Sequence, residues 1–109
     1  MKNTIEDIKE MIRKNKSLDK NNKTKLMDML DTLKPEMVKL ATVQAKQAKS
    51  VAEYIKRSTQ EALRHQKDPA LLKTHNDGLL NSVKSFETSH PQLVENINFI
   101  ATFLANLGI

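Results

Sequence analysis

Cysteine and tryptophan are absent from this 109-residue chain, only two glycines and three prolines interrupt it, and its aromatics are one tyrosine and three phenylalanines. Without cysteine there is no disulfide, no thiolate metal site and no cysteine nucleophile, and nothing marks an oxidising compartment. So few turn-forming residues leave little to punctuate strands and hairpins, which favours an all-helical protein. No segment approaches the roughly 18 consecutive apolar residues of a membrane span. The start, Met1-Lys2-Asn3-Thr4-Ile5-Glu6-Asp7, carries acids where a signal peptide needs an apolar run. The expectation is a cytoplasmic protein of bacterial type, with no membrane attachment.

What the chain does have is lysine and alanine. Its hydrophobic content of 39 % lies below the roughly 45 to 50 % of an average globular domain, and much of it is alanine, so a modest core completed by association is expected. The net charge of +5 is unevenly placed: residues 1–35 carry nine Lys/Arg against six Asp/Glu, residues 36–67 seven against three, and residues 68–109 two against four. The basic character belongs to the first two-thirds, whereas the last third suits packing.

The length fits a single domain over 1–109, in three parts: N-terminal helices over 4–34, a long basic helix over 35–66 and a C-terminal helical hairpin over 69–109. Ile5, Ile8, Met11 and Ile12 predict a short first helix, with Asn3 or Thr4 as N-cap and Glu6 and Asp7 in its first turn. Ser17 or Asp19 can cap a second, in which Leu26, Leu30 and Leu33 form the buried stripe. The spacing continues through Met37 and Leu40 without slipping at Pro35, which predicts either one kinked helix or two nearly collinear ones.

From Pro35 to Gln66 there is no glycine and no further proline, and Ala41, Ala45, Ala48 and Ala52, continued by Ile55, recur at helical spacing. These five residues form a candidate self-association seam of the kind a coiled coil buries. Thirty helical residues span about 45 Å, while the last helix, about seventeen residues, covers about 25 Å. Part of the seam would then lie beyond intramolecular reach, and a two-fold dimer of antiparallel long helices would cover it.

Asp68 as N-cap and Pro69 at the first helical position open the C-terminal hairpin. Leu79, Val83 and Phe86 on one helix and Leu93, Ile97, Ile100, Leu104 and Leu107 on the next are the candidate core. Gly78, in mid-helix, is expected to admit a close neighbour. The turn Ser89-His90-Pro91 has the form of a capping box from Ser89 to Gln92, and Gly108-Ile109 that of a glycine C-cap whose last side chain folds back. The run Phe86-Glu87-Thr88-Ser89-His90-Pro91-Gln92-Leu93, followed by Leu104-Ala105-Asn106-Leu107-Gly108-Ile109, resembles a family of short bacterial proteins classed only as a domain of unknown function. The resemblance is good over 79–109, weaker over 4–40 and absent from the alanine- and lysine-rich middle, which reads as an insertion or divergent connector. It implies a small helical fold and transfers no catalytic residue.

Candidate chemistry is sparse. His65, His75 and His90 are the plausible bases or ligands, and none stands in a HExxH or ExxH arrangement. The acid pairs Glu6/Glu10 and Asp28/Asp31 flank the stripes at spacings suited to ion pairs rather than to a di-metal core. Neither a phosphate loop nor a GxSxG elbow is present. We therefore expect no enzyme, no catalytic residue, no metal and no cofactor. The basic residues raise a nucleic-acid reading, but 15 of the 18 are lysine and only Arg13, Arg57 and Arg64 could make forked contacts, so non-specific phosphate binding is its limit. The expected fold is all-α, an antiparallel bundle of four to five amphipathic helices. The expected function is a non-enzymatic interaction or scaffold protein that self-associates, a dimer being favoured, or captures a partner through the long helix. A small basic protein binding nucleic acid non-specifically is the alternative.

Overall fold

A computed structural model describes residues 4–108. Its helices follow in the order α1 (Thr4–Lys14), α2 (Lys20–Val43), α3 (Ala45–Ala62), α4 (Pro69–Val83) and α5 (Pro91–Leu107), with a 3-10 turn at Lys84–Phe86 before the last. Among the described residues there is no strand and no helix long and apolar enough to cross a membrane. Asn3 as a cap and the fold-back of Ile109 lie outside the described residues.

Each hairpin can be read from one or two contacts. Glu6 pairs with Lys34 at 2.8 Å and Lys9 with Asp31 at 2.6 Å, so advancing along α1 means retreating along α2. The end of α3 returns to the loop between α1 and α2, where Asn15 Nδ2 donates to the Leu63 carbonyl at 3.4 Å. Tyr54 of α3 lies over Gly78 of α4, and a Cβ added there would sit 2.7 Å from its ring. Asn76 of α4 donates to the Ala101 carbonyl of α5 at 3.0 Å, and α5 closes the bundle against α2 and α3. The Cα radius of gyration, 13.1 Å, is what a compact domain of this length has.

The buried stripes are those of the helical period. Ile5, Ile8 and Ile12 of α1 are buried, as are Leu26, Leu30, Leu33, Met37 and Leu40 of α2. Of the candidate core, Leu79, Val83, Phe86, Leu93, Ile97, Ile100 and Leu104 are buried, while Leu107 is only half-buried at the end of α5. Burying the four aliphatics of α5 contributes roughly 6 to 12 kcal/mol gross, before chain entropy opposes it. Asp19 caps α2, accepting from the Asn22 amide at 2.8 Å, and Asp68 caps α4, accepting from Leu71 at 3.1 Å. Pro35 stands on the exposed side of α2, so the carbonyl that loses its donor faces water, and the helix runs on through it.

Two expectations are corrected. The long helix over 35–66 does not exist: α2 ends at Val43, Gln44 leaves the helical region with φ −141° and ψ 72°, and α3 stops at Ala62. Thr42 and Val43 are both β-branched, and Thr42 Oγ1 donates back to the Val38 carbonyl at 3.0 Å, a bond that bends helices. The longest dimension of the molecule is 37 Å, so the dimer argued from a 45 Å rod loses its premise. The second correction is the capping box. His90, not Ser89, occupies the N-cap of α5 and makes no side-chain cap bond; Ser89 Oγ instead lies 3.0 Å from His90 Nδ1. Pro91 takes the first helical position as expected. The His90 ring meets Phe86 edge-on at 5.9 Å, so this turn is held by packing rather than by a capping side chain.

Candidate interaction surface

Breaking the seam at Gln44 changes where its alanines lie. Ala48, Ala52 and Ile55 are buried, with 5 %, 6 % and 0 % of their surface exposed, because α3 turns that stripe into the core. Ala41 and Ala45, on either side of the break, remain exposed. Together Ala41, Ala45, Ala48 and Ala52 line an apolar surface groove of about 350 Å³ at the corner of α2 and α3, with Ile5, Met37 and Val38 as its other apolar walls. Each alanine contributes only a methyl, so the space between the last turn of α2 and the first turns of α3 stays unfilled. Val38, on its edge, is 58 % exposed. Ile55 does not line the groove; it belongs wholly to the core.

Two cations stand on this groove, Lys34 and Lys49. Lys34 is engaged by Glu6, and its hydrogen bond holds the Glu6 carboxyl below the usual carboxylate range. Lys49 has no ion pair. Lys46, Lys56 and Arg57 of α3 also lack one, and the four fall within about 100° of the helix circumference, opposite the buried stripe. Some cations elsewhere are paired at the surface, Arg13 with Glu10, Lys39 with Glu36, Lys73 with Asp77, and Arg64 with Glu61, whose hydrogen bond raises the Arg64 pKa further, while Lys14, Lys16, Lys20, Lys25 and Lys84 make no ion pair either.

The remaining candidates stay apart. His65 lies exposed in the α3–α4 loop, His75 half-buried on α4 and His90 at the start of α5. Among the described residues no cluster of three His, Asp or Glu could hold a metal ion. Asp31 pairs with Lys9 and Glu6 with Lys34, which spends these acids on helix packing. A second groove of about 370 Å³ runs between α4 and α5, and the buried Asn76 on its floor leaves Oδ1 without a partner.

The residue that sequence reasoning passed over is Phe99. It lies off the α5 stripe of Leu93, Ile97, Ile100 and Leu104 and is 57 % exposed. Its signal was visible as a phenylalanine standing on the polar side of an amphipathic helix. Glu95, one turn before it, is exposed and is the only charged residue of α5.

A family model described as a domain of unknown function, DUF4404, matches residues 26–109. The matched span takes in the alanine- and lysine-rich middle, read above as an insertion or divergent connector, and leaves α1 and the first six residues of α2 outside. No curated protein and no solved structure matches the chain.

Proposed function

Because the chain belongs to the DUF4404 family of domains of unknown function, we propose its role from geometry: a non-enzymatic helical interaction protein that self-associates through the corner of α2 and α3. The observation that carries the reading is the alanine-lined groove, an apolar concavity that Val38 continues onto the open surface. Its volume lies in the range of about 300 to 1,000 Å³ that accommodates a bound group, and covering it removes apolar surface from water. Size exclusion with light scattering on the full chain tests this. A mass that is a multiple of 12.4 kDa at micromolar concentration is expected, and a monomer throughout overturns it. Ala41→Glu and Ala45→Glu, both at exposed positions, are expected to shift the protein to monomer while leaving its helicity unchanged.

A second reading rests on the unpaired cations Lys46, Lys49, Lys56 and Arg57 of α3, which suit non-specific contact with a nucleic-acid backbone. Fluorescence anisotropy with duplex DNA at low salt is its test: binding that these four charges control supports it, and no binding removes it.

A further inference from the structure

We infer that the groove is filled by Phe99 of a second copy of this chain, in a head-to-tail contact that sets Glu95 of one molecule against Lys49 of the other. This deepens the self-association reading and rests on it.

The described residues leave three large apolar side chains exposed, Val38, Val43 and Phe99. Val38 and Val43 are on the last turns of α2, where the groove lies; Phe99 is on α5, whose neighbours are α2, α3 and α4. The groove's walls come from α1, α2 and α3, and α5 supplies none of them. The exposed ring therefore does not fill the groove of its own molecule, and the pairing is between copies. The two surfaces are complementary in shape, since one is a concavity floored by methyl groups and the other a single projecting ring. Their charges complement each other too. Lys49 is unpaired on the groove, and Glu95 is the unpaired acid one turn from the ring, about 6 Å along the helix. The regional balance agrees: residues 36–67 have seven basic and three acidic residues, and residues 68–109 two and four.

The alternative, groove against groove about a two-fold axis, meets two difficulties. It would bring Lys49 close to its own copy and face one concavity with another, leaving unfilled space between alanines. A contact between two different patches is heterologous, so it closes into a ring or continues as a chain according to the rotation it imposes.

The test uses complementation by the full-length protein. Phe99→Ser keeps an intact groove, and Ala45→Glu keeps an intact ring; each alone is expected to raise the self-dissociation constant about tenfold or more, with helicity by circular dichroism unchanged. Mixed in equal amounts they are expected to associate one to one, because the ring of the second enters the groove of the first. Glu95→Lys and Lys49→Glu are each expected to weaken assembly, and the double variant to recover it. Wild-type oligomers that survive Phe99→Ser while dissolving with Ala45→Glu overturn this pairing and leave self-association standing. A wild-type protein that is monomeric at every accessible concentration overturns both. Failure of the two singly defective proteins to complement each other also sinks the head-to-tail contact.

Discussion

Gly78 has an ordinary helical backbone, so it is required for what lies above it rather than for its conformation. The Tyr54 ring crosses so closely that a Cβ would sit 2.7 Å from it. Alanine in mid-helix normally gains about 1 kcal/mol over glycine, whereas overpacking of this kind costs about 1 to 3 kcal/mol. Gly78→Ala is therefore expected to destabilise by about 1 kcal/mol in urea unfolding, and in a Tyr54→Ala background the same change should stabilise instead. Equal effects in both backgrounds would show that the ring is not what excludes the methyl. That a neighbour approaches at Gly78 was legible, since an unneeded glycine in a helix calls for a reason; which residue approaches was not, because it comes from another helix. Glu6 gives a second residue-scale test. Lys34 holds its carboxyl below the ordinary value, so its contribution is present at neutral pH and is lost as pH falls through the lowered value. The melting temperature of the wild type should exceed that of Glu6→Gln by a small, salt-sensitive margin at pH 7, and the two should converge as the pH falls below the lowered Glu6 value. A margin that persists in acid would assign the difference to packing.

At the scale of elements, the stripes were legible and their ends were not. The series Leu26, Leu30, Leu33, Met37 and Leu40 crosses Pro35 because the proline occupies the exposed face, where the missing donor costs least. The break at Gln44 carries neither glycine nor proline. The β-branched Thr42 and Val43 and the Thr42 back-bond to Val38 weaken the helix there, and α3 buries Ala48, Val51, Ala52 and Ile55 by turning back along the bundle, a tertiary demand that local propensity only in part signals. The same logic explains the alanines. Small residues at helical spacing signal close packing, and the packing here is within the molecule for Ala48 and Ala52, leaving Ala41 and Ala45 to the surface. The first helix shows how much tertiary context supplies. It lies outside the family match, yet Ile5, Ile8 and Ile12 are 3 %, 0 % and 0 % exposed. Ile8→Ala is expected to cost about 2 to 5 kcal/mol in equilibrium unfolding. A change below about 1 kcal/mol would mean that α1 is detached from the bundle in solution.

For the whole molecule, the asymmetry of charge decides between the two modes of association open to it. The cations concentrate in the first two-thirds of the sequence and the acids outnumber them in the last third, so a contact that sets α5 of one copy against α3 of another joins surfaces of unlike charge, whereas groove against groove joins like charges. Such attraction is screened by salt, but the contact inferred above rests mainly on an apolar ring in an apolar groove, which salt does not weaken. Binding to a polyanion behaves otherwise. If Lys46, Lys49, Lys56 and Arg57 each displaced one counterion, affinity would fall by about three to four orders of magnitude for a tenfold rise in salt. Self-association through Phe99 should instead lose less than about tenfold in affinity over the same range, since only the Glu95–Lys49 pairing is screened. Sedimentation equilibrium at two salt concentrations tenfold apart, alongside the anisotropy titration with duplex DNA, separates these slopes. Oligomers that dissolve as steeply as a polyanion complex would place the contact on the charged face of α3 rather than in the groove.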